Sequence, residues 1–268
     1  MRRSPAIPLL ATFGLACPAP GLAAGPDGAR DRLILSLSGA TITDADDGGG
    51  ANIAWLHNFN SDVVVGVGAQ YQTIAESHWQ FGSLTASWGI GEAARRTTLF
   101  AEYNRGTGDD NSRGYTYQIA TVGIVQSLNR QLSLQLEDRQ IDIDTTHGNL
   151  PKLGVNYLWS PRVLTALSYS NSVSGNLGTE IVALRADVYG RRANLIIGGA
   201  GGKGSPAVFD LQTGLTQSGA TLREVFLGVT KPLKRVELTL LGDYLELSDN
   251  KRFTLTLSCT VNLNARGG

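Results

Sequence analysis

RVELTLLGDYLELSDNKRFTLTLSCTVNL, residues 235–263, decides how the rest of the chain is read. In its second half Phe253, Leu255, Leu257, Cys259, Val261 and Leu263 share one parity, and Thr254, Thr256, Ser258, Thr260 and Asn262 share the other. Only a β-strand separates residues at a spacing of two onto opposite faces. In the first half Val236, Leu238 and Leu240 are set against Glu237, Thr239 and Asp243. The intervening Ser248-Asp249-Asn250-Lys251 is a run of turn formers. The stretch predicts an antiparallel hairpin with one apolar face and one wet face.

Working outward, the same unit recurs through nearly the whole chain. Val63, Val65, Val67, Ala69 and Tyr71 oppose Gly66, Gly68, Gln70 and Gln72. Leu132, Leu134 and Leu136 oppose Ser133, Gln135, Glu137 and Arg139, and Tyr117, Ile119 and Val125 oppose Thr116, Gln118 and Gln126. About fourteen such segments follow Leu33, with twelve as the alternative count. The connections alternate in length: 44–50, 105–114, 144–151, 171–178 and 199–219 are long, whereas 59–62, 92–96, 128–130, 160–162, 190–192 and 231–234 are short. Every second connection of an up-and-down barrel lies at the same end, and membrane barrels pair short periplasmic turns with longer extracellular loops. The expected fold is all-β, a transmembrane antiparallel up-and-down barrel whose apolar face meets lipid.

Composition agrees with a wet interior. The chain has 268 residues, zero formal net charge and no apolar run long enough for a membrane helix, so neither a nucleic-acid footprint nor a helical span is present. Gly, Thr, Ser and Gln fill the polar parity, as barrels with aqueous interiors require. At the N-terminus Arg2 and Arg3, an apolar stretch from Ala6 to Ala16 and small residues around Ala23 read as an export leader, 1–24, followed by one barrel domain, 25–268. Cys17 lacks the large aliphatic residue that lipidation expects three positions earlier. Cleavage then leaves Cys259 alone, a small hydrophobe on the apolar face.

Aromatic residues add a third signal. Tyr71, Trp79, Tyr103, Tyr115, Tyr117, Tyr169 and Tyr244 fall at strand ends toward the long connections, and Trp88, Tyr157, Trp159 and Tyr189 at ends toward the short ones. Two such rings around an aliphatic belt mark the headgroup zones of a bilayer, so all eleven are expected in lipid-facing girdles. On a soluble sandwich the same residues would cap strands. A sandwich, however, needs interlocking large side chains at strand centres, and these centres carry few aromatics.

The polar parity carries Glu102, Glu137, Arg139, Arg185, Asp187, Glu224, Glu237 and Asp243. These are the candidate lumen-lining residues, and by this count acids outnumber bases inside. No catalytic constellation emerges. Ser77 and His78 are adjacent, so their side chains diverge in an extended strand, while His57 near a short turn and His147 in Thr145-Thr146-His147-Gly148 read as solvated histidines. Asp44-Ala45-Asp46-Asp47-Gly48 departs from calcium-loop spacing, Asp109-Asp110 is equally weak, and Gly199–Gly204 lacks phosphate-loop spacing. No metal or cofactor is expected.

From Leu33 to Leu263 the chain resembles a small Gram-negative outer-membrane β-barrel. In size and strand number it is similar to the monomeric fourteen-stranded porins of the OmpG kind. The strand LGVNYLWSPR, residues 153–162, carries a looser likeness to YaiO-type barrels, some of which accompany polysaccharide export. The pattern departs at the end, where Leu263 stands in place of the usual terminal aromatic residue. The resemblance implies an outer-membrane location with both termini periplasmic. It implies contact with outer-membrane lipid and lipopolysaccharide, and handling by the barrel-assembly machinery. The function expected is a passive channel or export conduit for small hydrophilic solutes or polysaccharide, with a mildly cation-favouring lumen. The alternatives are a closed-lumen structural or binding barrel that uses its long loops, and an outer-membrane lipid-modifying enzyme.

Overall fold

A computed structural model describes residues 31–43, 47–74, 77–92, 94–109, 114–143, 146–204, 220–248 and 250–263. The leader 1–24, together with Asp44, Asp46, Asp110 and most of 199–219, lies outside the described residues. Fourteen antiparallel strands close into one barrel. They are β1 (Asp31–Ile42), β2 (Gly48–Asn58), β3 (Val63–Ile74), β4 (Ser77–Ile90), β5 (Thr97–Asp109), β6 (Gly114–Ser127) and β7 (Leu132–Ile143). The second half runs β8 (Thr146–Ser160), β9 (Val163–Asn171), β10 (Glu180–Tyr189), β11 (Asn194–Gly204), β12 (Ala220–Pro232), β13 (Val236–Leu247) and β14 (Asn250–Leu263). Each strand pairs with its chain neighbours, and β1 closes on β14 from Asp31 opposite Leu263 to Ile42 opposite Arg252. Closure leaves no strand edge unpaired, which a hydrocarbon environment demands.

Alternation decides which side chains go where. On β14 Leu257 is 53% exposed on the outer wall, while its neighbour Thr256 is 9% exposed and points inward. Leu37, Leu84, Val122, Leu153, Leu184 and Val225 continue the outer apolar belt around the barrel. From Phe253 to Leu263 the belt rises ten residue steps; at ~3.3 Å each and a tilt of ~40° this spans about 25 Å, the height of a membrane barrel's apolar band. On the inner wall three aromatic rings lie over glycines of the adjoining strand: Tyr115 over Gly108, Phe100 over Gly123 and Phe226 over Gly198. These rings fill the gaps that missing side chains would leave.

Two of the short turns share one device. Asn60 Oδ1 accepts from the amides of Asp62 and Val63 at 2.8 Å, and Asn129 Oδ1 accepts from Gln131 and Leu132 at 2.7 and 2.9 Å. An asparagine that mimics a backbone turn explains why both connections stay tight. Arg96 then binds Asp62 at 2.9 Å and ties two neighbouring turns together.

The opposite end differs from the expectation of mostly long loops. Arg105–Asp109 continues β5, and β8 begins at Thr146, so segments with loop-like composition are barrel wall. There the polarity of the wall reverses while its parity does not. The outer face of β5 passes from Leu99, Ala101 and Tyr103 to Arg105, Thr107 and Asp109. On β7 it passes from Leu132, Leu134 and Leu136 to Asp138, Gln140 and Asp142, while the inner face turns from Gln135 and Glu137 to Ile141 and Ile143. These strands outrun the lipid, so water meets their outer face and the apolar residues turn inward.

Candidate functional site: the barrel lumen

The inward parity builds two different walls. On β7, β8 and β10, large charged groups stand in pairs. Glu137, 2% exposed, is held by Lys152 from the next strand, by Arg139 at 3.3 Å and by Gln135 Nε2 at 3.0 Å. Arg185 donates Nη2 to Asp187 Oδ1 at 2.8 Å and shares Nε between both carboxylate oxygens at 3.1 Å. A fork-shaped donor on a planar acceptor fixes both side chains. On β12–β14 the Glu224 carboxyl contacts that of Asp243 with Arg252 beside them, and Arg32 of β1 faces Glu237 across β14. Glu102 accepts from Asn104 Nδ2 at 2.8 Å.

Between Arg32 at one end and Trp79 and Phe81 at the other, the wall formed by β1–β4 carries mostly small side chains. Ser36, Ser38, Gly50, Gly66, Gly68, Ser83 and Thr85 share the inward parity. A Cβ on Gly66 would approach Leu56 Cδ2 to 2.3 Å and Thr85 Oγ1 to 2.8 Å, so any larger residue there would have to displace those side chains. Around the seam Ser258 Oγ donates to Ser36 Oγ at 2.9 Å, and Thr230 and Thr239 share a hydroxyl bond of 2.9 Å.

All eight candidate lumen residues stand on the inward parity, but the charge balance differs from the expected acidic excess. Six acids, Glu102, Glu137, Asp187, Glu224, Glu237 and Asp243, meet five bases, Arg32, Arg139, Lys152, Arg185 and Arg252, along the described strands. Three bases escaped the sequence reading for one reason. Lys152 and Arg252 border segments whose composition reads as loop or turn, and Arg32 opens the first strand; extending the parity by one or two residues finds all three.

The girdles also differ. Tyr71, Trp88, Tyr103, Trp159, Tyr169 and Tyr244 project outward, each at least 38% exposed, and Tyr157 packs against Trp159 at 4.8 Å between ring centroids. Trp79 and Tyr117 are instead 3% and 0% exposed inside the barrel, where Tyr115 packs on them, and Tyr189 stands on the inward parity of β10 with its hydroxyl buried. The first three fall beyond the polarity reversal, so the girdle rule inverts for them. Together with Phe81, Ile119, Ile141, Ile143, Leu150 and Leu177 they form an apolar cluster within the mouth. Leu177 belongs to the connection 172–179, which bonds along β8 through Val173 N to Asn149 O at 3.1 Å and Asn176 N to His147 O at 2.9 Å. Gly175, with φ 74°, lets that connection turn against His147.

The three histidines are not brought together. His57 bonds Asp31 at 2.8 Å near the short turns, His78 approaches the Tyr71 hydroxyl at 3.4 Å at the other end, and His147 lies exposed beside the 172–179 connection.

No family profile matches the chain, and no curated protein does. Among solved structures, the CymD monoaromatic hydrocarbon channel superposes with a TM-score of 0.58 at 9% identity, covering 87% of this chain and 88% of that one. The fold is that of an outer-membrane β-barrel. The outer-membrane protein Omp33 of Acinetobacter baumannii is similar with a TM-score of 0.55, 10% identity, and 88% and 100% of the two chains covered. A bacterial polysaccharide outer-membrane secretin gives 0.50 at 11% identity, covering 88% and 99%. At these identities the likeness is one of fold.

Proposed function

We propose that the barrel is a passive outer-membrane channel for small hydrophilic solutes, exported by the leader 1–24 and inserted with both termini periplasmic. The observation that carries this reading is the inner wall. Outside its apolar clusters it is polar, several of its charges stand beside one of opposite sign, and much of the β1–β4 side is glycine and serine. Such a lining suits water and hydrated solutes. The existence of hydrocarbon and polysaccharide passages among proteins of the same fold supports conduction as a class of activity, without naming a solute. With six inward acids against five bases, the expected cation preference is slight.

A second reading, a barrel closed at one mouth that binds a partner with its extensions, is favoured by the cluster of Trp79, Tyr117 and Leu177 inside that mouth. Planar-bilayer recording of the purified protein separates the two. Stepwise conductance with a small cation-directed reversal potential supports the channel, and silence at every voltage supports the closed barrel. The same preparation should migrate faster on SDS gels before heating than after; a protein that fractionates in the periplasm without that shift would refute membrane insertion.

A further inference from the structure

The outer wall is not evenly convex. Across β13, β14, β1–β5 and the edge of β6 it hollows into an open trough of about 1060 Å³. Two adjacent cross-strand rows line it. One runs Leu238, Cys259, Leu35, Ile53, Ala69, Gly82 and Arg105, each in register with the next. The other runs from Leu257 through Leu37, Ala51, Tyr71 and Gln80 to Thr107 and Thr116. The depth comes from small residues: a Cβ on Gly82 would meet nothing nearer than Gly68 O at 3.8 Å, and one on Gly39, just above, would meet nothing within 4 Å.

The trough is amphipathic along its length. Because strands tilt, a cross-strand row climbs the wall, so the β13 end lies deep in the apolar belt and the β5 end lies at the polarity reversal. From Leu238 to Arg105 there are six strand spacings, roughly 29 Å at ~4.8 Å each. The deep end is Leu, Ile and Ala. The shallow end offers the Arg105 guanidinium, an exposed cation to which no described residue is bonded, beside Gln80 and Thr107. Asp109 and Asp142 share this outer face but do not line the trough.

From this geometry we infer that the trough is a binding site for one acylated, phosphate-bearing lipid of the outer leaflet, the lipid A portion of lipopolysaccharide. Its acyl chains lie over Ala51, Ala69 and Gly82, and a phosphate sits against Arg105. Hydrocarbon must fill a concavity in a lipid-facing wall, and a lone guanidinium at the headgroup level selects an anion. The commitment to the outer leaflet rests on the proposed orientation, which puts the β5–β6 extensions outside the cell; the channel reading is not required.

Native mass spectrometry of the purified barrel, titrated separately with lipid A and with phosphatidylglycerol, tests the site. One equivalent of lipid A should persist after bulk detergent and lipid are removed. Arg105→Gln should lower its retention several-fold and Arg105→Lys should restore most of it. Ala69→Phe, which fills the trough, should abolish retention of both lipids, whereas Leu184→Phe on the far wall should change neither. Arg105 lies beyond the belt, so its variants report on binding even if Ala69→Phe fails to insert. Equal retention of lipid A by Arg105→Gln and the parent would overturn the phosphate assignment. Stronger retention of phosphatidylglycerol than of lipid A would overturn the choice of lipid, and no retained equivalent of either would overturn the site. Conductance, measured on the same variants, should stay unchanged.

Discussion

Leu257 and Thr256 occupy adjacent positions in the middle of β14, yet an arginine at each should have opposite consequences. Leu257 stands between Leu37 and Leu240 on the outer belt and is 53% exposed, so Leu257→Arg places a guanidinium in hydrocarbon. Phe253 and Leu263 bound the belt on this strand, which puts Leu257 near its midplane. There an arginine costs roughly 2–4 kcal/mol. At about 1.4 kcal/mol per tenfold, the folding equilibrium should fall roughly 30- to 700-fold. Thr256 points inward between Ser38 and Leu241 and meets the small-residue wall of β1. Thr256→Arg therefore stays on the polar parity beside those small side chains, and its cost should be that of crowding, at the low end of about 1–3 kcal/mol. Reversible guanidinium unfolding in lipid vesicles, followed by tryptophan fluorescence, measures both. Equal stability of the two variants, or greater damage from Thr256→Arg, would refute the assignment of faces.

Lys152→Met should leave Glu137 with Arg139 as its remaining cationic partner and raise the cation preference of the conductance, while Glu137→Gln should lower it. Reversal potentials across a salt gradient report both, and the differences should shrink above 0.1 M salt, where the screening length drops below about 10 Å. Tyr117→Ala should open a cavity in the mouth cluster and destabilise the barrel by roughly 3–5 kcal/mol, by analogy with other aromatic truncations, with a rise in single-channel conductance if the cluster narrows the passage. Leu177→Asp should release the 172–179 connection from the same cluster, readable as faster amide exchange at Val173 and Asn176; unchanged protection would show that the backbone bonds alone hold it.

Strand parity was legible in the sequence almost throughout, because a side-chain period of two survives any environment. What parity alone does not encode is which medium a face meets at each height. On β6 the pattern Tyr115, Tyr117, Ile119 looks like a lipid-facing run, yet these residues point inward and Gln118 points out. The signal was present in the neighbours: on β4, β5, β7 and β8 the outer parity turns polar at the same height, at Gln80, Arg105, Asp138 and Asn149. A single strand read alone cannot show this, since an apolar parity is compatible with lipid outside or a small core inside. The length of the far-end connections was obscured for a related reason. Gly106, Thr107 and Gly108 resemble a loop, but Gly106 accommodates Phe81 and Gly108 lies beneath the Tyr115 ring, so they are wall positions shaped by close approach.

The two walls of the lumen differ enough to suggest how a passage through them would discriminate. A net count of six acids and five bases predicts little, but the charges are not mixed evenly. The Glu137–Lys152–Arg139 group and the Arg185–Asp187 pair stand on β7, β8 and β10, whereas β1–β4 offer serine, threonine and glycine. A solute in transit meets fixed dipoles on one side and neutral, close-set backbone on the other. Paired charges cancel at a distance greater than their separation, so they act on a solute only at contact. Selection should therefore respond more to how a solute's polar groups are arranged than to its net charge. Zwitterions and sugars should be distinguished by stereochemistry at similar permeability to simple ions, and equal flux of two epimers in liposome swelling would count against any role for the charged wall.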